Sequence, residues 1–371
     1  MNERKTTSLP SGRLLSLDAL RGFDMFWITG GDAIMASLPI LSSNIFFKGL
    51  AGQFEHSSWN GFTFYDLIFP LFLFIVGAAM PFSFGKRLER GDSKQDLYKH
   101  IITRTAILFL FGLIYNGLLD FNFSTMRYAG VLQRIALCYC FASLVFVNTT
   151  IRGQAIVAGA LMLFYMLIMK LIPVPGFGMG VLAPEGNLSS FLDQHLLPGR
   201  FCCFKFGDNE GILSTLPAIS TTLLGVLTGH WMRHSNSPKE KIIGLLSSGV
   251  IGIVAALLMN FWFPINKLIW TSSYVLFTAG LSALLLCLFY WLIDVRGYKK
   301  WAFFFVVIGM NPITIYILQR LFDFGDIANI FVHGFINYLG PGKPLFWALC
   351  VTTVKWSFLY WLYKKKIFIK F

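Results

Sequence analysis

About ten runs of mostly apolar residues constrain the fold of this chain more than any other feature. A helix needs roughly 20 such residues to cross the hydrocarbon core of a bilayer. A shorter stretch at 324–340 is rich in Asp, Gly and Asn, and we interpret it as an outer re-entrant or interfacial segment. The sequence predicts an all-α polytopic integral membrane protein with about ten transmembrane helices. The runs fall near residues 14–37, 63–85, 101–119, 129–148, 153–172, 213–232, 242–262, 269–293, 301–322 and 345–363.

The charge distribution predicts how the chain is oriented. The net charge is +13, but only 13% of the 371 residues are charged and 56% are hydrophobic. The Lys and Arg residues lie mainly in short loops, as orientation signals do, so we expect no nucleic-acid partner. The more basic side includes both ends of the chain, which places both termini in the cytoplasm. We therefore divide the chain into a cytoplasmic tail (1–13) and a single transmembrane domain (14–371).

Polar residues gather at one predicted level of the membrane. His56, Trp59 and Asn60 lead into the apolar run at 63–85, which carries Asp66 near its start. An ionisable group inside a spanning helix is costly and usually functional. Any one of these residues alone fits a helix end, but their convergence predicts a site that opens outward. The other polar groups near this level are Asp32, Arg127, Arg134, Asp208, Glu210, Asn266, Lys267, Trp270 and, near mid-depth, Asn311.

His56 is the candidate proton acceptor, because an imidazole with a pKa near 6.5 can take a proton at neutral pH. A single loop histidine is more often surface or hydrogen-bonding filler, so this assignment depends on its polar neighbours. No His or Cys spacing is typical of a metal site, and we expect no metal. Cys202 and Cys203 are adjacent in a loop, which favours two free thiols over a disulfide.

A smaller polar set lies in the opposite half of the predicted bundle. Asp18 and Arg21 are three residues apart, so they can pair on a helix. Arg104 is a further cation at this level. A structural ion pair is one interpretation, and the other is that these cations receive a phosphorylated cytosolic cofactor.

Several motifs, spread from about Arg13 to the C-terminus, match one known family in their order and membrane depth. They are SLDALRGFDM (16–25), FEHSSWNGFTFYDLIFPLFLFIVG (54–77), GVLQRIALCY (130–139), IPVPGFGMG (172–180), NEGILST (209–215), FPINKLIWTSSYV (263–275), GMN (309–311) and YKKKIF (363–368). On these residues the chain resembles the heparan-α-glucosaminide N-acetyltransferase family, in its short bacterial form without the lumenal domain.

The resemblance implies that the acetyl group of cytosolic acetyl-CoA passes to an amino-sugar amine across the membrane. Domain 14–371 is then an acyltransferase domain, and the active-site histidine of the family falls on His56. An asparagine of the animal enzyme falls on Asp32 when counted from the RG of the first run, and a later histidine is replaced by Gln319.

We assign expected roles on this basis. The catalytic group comprises His56, as general base or acetyl carrier, with Asp32 and Asn60. Arg21 and Arg104 are assigned to the phosphates of acetyl-CoA, the co-substrate. The expected substrate-binding residues are Trp59, Asp66, Arg134, Glu210, Asn266, Trp270 and Asn311.

Two other functions stay open, namely a sugar or amino-sugar transporter on the same scaffold and a polysaccharide O-acetyltransferase. The expected partners are acetyl-CoA, an amino-sugar or glycan acceptor and the lipid bilayer, with a homodimer as an open alternative. We expect the bacterial inner (plasma) membrane, with the active site facing the periplasm.

Overall fold

The computed structural model of this chain describes residues 14–234 and 236–369. The predicted cytoplasmic tail (1–13) lies outside the described residues. Helices dominate, and a two-stranded hairpin of β1 (Cys203–Phe204) and β2 (Gly207–Asp208) lies between α8 and α9. The helices are α1 (Leu15–Phe26), α2 (Asp32–Leu41), α3 (Ile45–Gly52), α4 (Ile68–Glu89), α5 (Lys94–Tyr115), α6 (Val131–Asn148), α7 (Ile151–Leu171), α8 (Leu188–Leu196), α9 (Thr215–Arg233), α10 (Pro238–Met259), α11 (Ser272–Tyr290), α12 (Ala302–Gly309), α13 (Pro312–Leu321), α14 (Phe324–Ile336) and α15 (Lys343–Lys364).

The apolar helices make this an integral membrane protein. Within the described residues, seven helical segments are long and apolar enough to cross a membrane. An eighth crossing results if α12 and α13, which meet at a 69° bend, form one span. The count of ten and the cytoplasmic termini stay predictions. The seven segments are Phe64–Glu89, Lys94–Tyr115, Val131–Asn148, Ile151–Leu171, Pro238–Met259, Ser272–Val295 and Phe324–Lys364.

Two of the predicted spans have a different character in the structure. The run at 14–37 is divided into α1 and α2 by a π-helical turn at Trp27–Gly31, so neither part is long enough to cross alone. The run at 213–232 is one 19-residue helix, α9, with buried Ser and Thr side chains. Since α9 packs against α4, α6 and α7, much of its surface meets protein and does not need to be apolar.

The contact between α4 and α9 depends on small residues that let two backbones approach closely. A Cβ atom on Gly225 would lie 2.1 Å from the Phe74 carbonyl oxygen, and one on Gly77 would lie 1.9 Å from the Thr222 carbonyl oxygen. Gly229, one turn along α9 from Gly225, makes a similar approach to α4. This small-xxx-small spacing is typical of tightly packed membrane helices. It brings the start of α9 close to α4, the helix that follows His56.

We expect Gly225→Val to lower the stability of the protein by at least about 1–3 kcal/mol, because the added carbons meet backbone that cannot rotate away. Thermal unfolding in detergent would measure this loss. Gly159→Val is the matched control, since a Cβ there meets nothing within 4 Å. Equal melting temperatures for the two variants would contradict the packing argument.

Candidate active site

His56 is oriented by a buried carboxylate. Its Nδ1 lies 2.9 Å from Oδ1 of Asp66. The other carboxylate oxygen, Oδ2, accepts hydrogen bonds from the backbone amides of Ser57 and Thr63 and from the Thr63 hydroxyl, each at 3.2 Å. The Asp66 side chain is fully buried, whereas 52% of the His56 side chain is exposed. The arrangement holds one edge of the imidazole in place and leaves the ring accessible.

The local sequence explains why Asp66 lies there. Thr63 and Asp66 form a capping box at the start of a 3₁₀ turn, Phe64–Leu67, that leads directly into α4. A carboxylate at a helix start accepts the free backbone amides and is favoured by the helix dipole. The Tyr274 hydroxyl donates to the Asp66 carbonyl oxygen at 2.6 Å and ties α11 to the same turn. Asp66 therefore orients His56 from the first turn of a spanning segment.

Lys267 completes the group, and the sequence interpretation did not include it among the site residues. Its Nζ lies 3.2 Å from Asp66 Oδ1, 2.9 Å from His56 Nδ1 and 3.3 Å from His56 Nε2. Only 8% of the residue is exposed. Burial lowers the pKa of Lys267, and the Asp66 carboxylate opposes that shift. A lysine within the otherwise apolar FPINKLIW segment was the available signal.

The two contacts of His56 Nδ1 require different protonation states of the ring. A neutral imidazole carries one N–H and one unprotonated nitrogen. The Asp66 carboxylate needs a proton on Nδ1, whereas the Lys267 ammonium, also 2.9 Å from Nδ1, needs a lone pair there. If Nδ1 donates to Asp66, Lys267 pairs with the same carboxylate and Nε2 keeps its lone pair. In that tautomer Nε2 can serve as a base or a nucleophile.

Asp32 reaches this group through Tyr65. The Tyr65 ring stacks on His56 with centroids 4.9 Å apart, and its hydroxyl donates to Asp32 Oδ2 at 3.1 Å. Asp32 thus contacts the hydroxyl edge of Tyr65, while His56 lies against the face of the same ring. Its position fits support of the aromatic wall better than the direct catalytic role that we expected.

A second charged group lies beside the first. Arg127 donates to both carboxylate oxygens of Asp208, at 2.7 and 2.5 Å, to Asn209 Oδ1 at 3.1 Å, and to Glu210. Although burial opposes ionisation of Asp208, the Arg127 hydrogen bonds hold the pKa of that carboxyl below its ordinary value. Burial raises the pKa of Glu210, with Arg127 opposing the shift. Arg127 therefore holds the chain before α9 so that Asn209 and Glu210 face His56 across a cavity.

This first cavity has a volume of about 280 Å³. Polar groups at one part of its wall are His56, Asn209, Glu210 and Lys267. Most of the remaining wall is apolar or aromatic and comes from α1, α4, α5, α6 and α13. Such a cavity suits a flexible, weakly polar chain that ends in a reactive group. The remaining lining residues are Met25, Ile28, Tyr65, Ile68, Phe69, Phe72, Tyr115, Val131, Leu132, Ile135, Ile313, Tyr316 and Gln319.

Asn60, Asn266 and Trp59 hold the surrounding loops together. Asn266 Nδ2 donates to Asn60 Oδ1 at 3.1 Å, which joins the loop before α4 to the loop before α11. Trp59 Nε1 donates to the Leu182 carbonyl oxygen at 2.9 Å and so fixes the Pro- and Gly-rich segment that follows α7. Asn266 is fully buried, whereas Asn60 is exposed at the surface beside His56.

Arg134 and Trp270 do not have the substrate-facing positions that we expected. Each is only 1% exposed, and the Arg134 guanidinium lies 5.0 Å from the centre of the Trp270 ring. Arg134 donates to the Gly211 carbonyl oxygen at 3.1 Å and to the Ser214 hydroxyl at 2.5 Å. Trp270 donates to Thr221 in α9. Both residues are enclosed by protein, so they hold the turn before α9 and leave contact with substrate to other groups.

Asn311 also lies outside the group of residues around His56. Its amide donates to the Ile367 carbonyl oxygen at 3.0 Å and accepts from the Ile369 amide at 2.9 Å, so it fastens the C-terminal segment to the bend between α12 and α13. Arg21 pairs with Asp18 at 3.5 Å near the same bend. The predicted structural pair is present, while the roles of Arg21 and Arg104 toward acetyl-CoA stay predictions.

Cys202 and Cys203 form a disulfide, which corrects the expectation of two free thiols. The pair lies at the start of the β1–β2 hairpin, and the Cys202 amide donates to Asp208 Oδ2 at 3.0 Å. Adjacent cysteines gave no sequence signal for this pairing, because it requires the particular backbone turn found here. The hairpin supports Asp208 and hence the Arg127 group.

The comparisons with known proteins agree with the motif resemblance. Residues 13–177 match a family model described as "Domain of unknown function (DUF5009)". The chain is 27% identical to the heparan-alpha-glucosaminide N-acetyltransferase of Homo sapiens and 26% identical to that of Mus musculus. Each match covers 85% of this chain and 56% of the relative. The chain thus spans about half the length of the curated relatives that it matches.

Asp193 gives a pH-dependent prediction for the loop that carries Glu210. Its carboxylate is 1% exposed and accepts from the amides of Ile212 and Asp208, at 3.0 and 3.2 Å. Burial raises its pKa to about 6, although the two amides oppose the shift. Between about pH 4 and pH 6 the folded protein therefore keeps a proton that the unfolded chain releases, so this group costs stability as the pH rises through that window.

Asp193→Asn removes this cost, because an amide carries no charge to bury. We subtract the melting temperature of the parent from that of the variant. We expect this difference to be more positive at pH 7.5 than at pH 5. Thermal unfolding of both proteins in the same detergent measures the difference. A difference that stays constant with pH, or that becomes more negative as the pH rises, would contradict this account.

Proposed function

We propose that this protein is a membrane-embedded acetyltransferase that moves an acetyl group from acetyl-CoA to the amine of a glucosamine-like sugar. The observation that carries the proposal is that His56 and Lys267, both held by Asp66, line a mostly apolar cavity. The relatives named above, which are N-acetyltransferases, support the same reaction class.

The imidazole of His56 supplies the lone pair that the reaction needs. In direct transfer, the sugar amine attacks the thioester carbonyl carbon, its proton moves to Nε2, and the carbon–sulfur bond breaks to release CoA. In the two-step route, Nε2 attacks the carbonyl carbon, CoA leaves, and the amine then takes the acetyl group from the ring. Asp66 stabilises the positive imidazole that forms in both routes.

Lys267 and Glu210 have complementary tasks. The Lys267 ammonium, close to Nε2, can donate to the oxygen of the thioester carbonyl as negative charge develops there. Glu210 lines the same cavity and can accept from the ammonium group of the sugar before the proton is removed. In this proposal acetyl-CoA enters from the cytosolic side, where Arg21 and Arg104 lie.

We expect His56→Ala to lower acetyl transfer by roughly 10²–10⁴-fold, as for loss of a well-placed general base. The assay gives purified protein labelled acetyl-CoA with glucosamine, glucosamine oligosaccharides and hydroxyl-only polysaccharides. His195→Ala is the matched control, because His195 is an exposed histidine of α8 whose Nδ1 donates to the Phe191 carbonyl oxygen of its own helix. Transfer by His56→Ala equal to the parent would contradict the mechanism. Labelling of hydroxyl-only polysaccharides would indicate O-acetylation, and uptake without acetylation would indicate a transporter.

Lys267→Met tests the second part of the mechanism. The maximal rate of acetyl transfer should fall by roughly 10²–10³-fold, because a donor to the developing oxyanion is lost. Lys267→Arg should restore part of the rate. A maximal rate in Lys267→Met equal to that of the parent would contradict this role of Lys267.

The same protein can be tested for its two-step route and its orientation. Incubation with acetyl-CoA alone, followed by mass spectrometry, would detect an acetylated His56 if the ring carries the group. A cysteine at the exposed position Ser58, in a protein without other reactive thiols, should react with a membrane-impermeant reagent from the periplasmic side. A cysteine at the exposed position Lys239, in the first turn of α10, should react from the cytosolic side. Reversed labelling would overturn the proposed sidedness.

A further inference from the structure

A second cavity, of about 290 Å³, lies beside the first and shares Gln319 with it. We propose that this second cavity binds an anionic group carried by the acceptor, of the phosphate, sulfate or carboxylate class. The inference rests on the proposed acetyl transfer and adds a substrate class to it. The charged and polar residues of its wall are Gln319, Arg320, Asp323 and Lys355.

The cavity has a surplus of positive charge. Lys355 lies inside α15, where an ammonium is costly unless it has a function. Its Nζ donates to two neutral oxygens, the Thr29 carbonyl at 2.8 Å and Gln319 Oε1 at 3.3 Å. Arg320 is exposed and, among the residues that the structure describes, forms no ion pair. Two cations thus face a cavity whose wall contains a single carboxylate, that of Asp323.

The nearby carboxylates are already engaged. Asp323 caps α14 and accepts from the Gly325 amide at 2.7 Å. The charges of Asp32 and Asp323 both act on Lys355. Asp32 also accepts from the hydroxyl of Tyr65 at 3.1 Å, and Tyr65 lines the first cavity. Neither carboxylate makes an ion pair with Lys355 within the described chain. An oxyanion in the cavity would therefore supply the missing partner for Lys355 and Arg320.

The two cavities are adjacent, because one residue belongs to both walls. Gln319 forms part of both walls, and its side chain accepts from Lys355. Ile28 lines the first cavity, while the next residue, Thr29, accepts from Lys355. A sugar with its amine at His56 can thus extend an anionic substituent past Gln319 into the second cavity.

The position along α13 assigns this anion to the acceptor. Gln319 and Arg320 lie at the last turn of α13, whereas Asn311, just before α13, binds the C-terminal segment. Ten helical residues separate these ends by about 15 Å. The phosphates of acetyl-CoA are assigned to the end that carries Asn311 and Arg21, so the second cavity is left for a group on the acceptor.

The experiment compares glucosamine, glucosamine 6-phosphate and glucosamine 6-sulfate as acceptors for the parent, Arg320→Gln and Arg320→Lys. We expect the parent to show a KM about tenfold lower for the anionic sugars, as for one charge-assisted hydrogen bond. Arg320→Gln should remove this preference, and Arg320→Lys should keep most of it. Arg200→Gln, which changes an exposed arginine near the β1–β2 hairpin, is the control and should keep the preference of the parent.

Equilibrium binding of the same three sugars, followed by tryptophan fluorescence without acetyl-CoA, separates the two proposals. If no acceptor is acetylated but the anionic sugars bind more tightly and need Arg320, the proposed function fails and the second site stands. Equal binding of neutral and anionic sugars by the parent would overturn the second site. So would a loss in Arg320→Gln that is the same for all three sugars. If native mass spectrometry shows that Arg320→Gln loses only bound phosphatidylglycerol, the cavity holds a lipid headgroup and the inference is wrong.

Discussion

The buried carboxylate of Asp66 is the interaction on which the site depends. A carboxylate without exposure must be satisfied by donors or paired with charge. Here the loop before α4 supplies the amides of Ser57 and Thr63 and the Thr63 hydroxyl, and Lys267 supplies the opposite charge. The remaining contact orients His56. Because these partners come from separate parts of the chain, the reactive ring is in place only when the loop before α11 is docked on the start of α4.

The helix packing brings the second half of the site to the same place. Glycine contacts between α4 and α9 set their distance, and the segment before α9 carries Asn209 and Glu210 to the cavity. Arg127 then neutralises the acidic residues of that segment through several hydrogen bonds. The fully buried Arg134 and Trp270 support the same turn. The cavity thus combines a polar wall that is fixed by hydrogen bonds with an apolar remainder.

Apolar helices could be predicted well where they face lipid, because contact with lipid requires apolar side chains and these are visible in the sequence. The runs that correspond to α5, α7 and α10 are examples. The prediction was less complete for α9, whose Ser and Thr residues are covered by other helices, and for the first run, which contains a π-helical turn. In both cases the structure depends on neighbouring helices in the bundle. Those helices are distant in the sequence, so a local stretch of residues does not reveal the contacts with them.

The sequence by itself determined the class of protein, the apolar segments and the presence of His56 and Asp66 ten residues apart at the start of one of them, because apolarity and helix caps are local properties. Only the tertiary structure decided which distant polar groups meet. Lys267 reaches His56, whereas Trp270, three residues later, turns into the core, and Asn311 binds the C-terminal segment. The direction of each side chain depends on how its segment is rotated and packed, and that depends on contacts far along the chain.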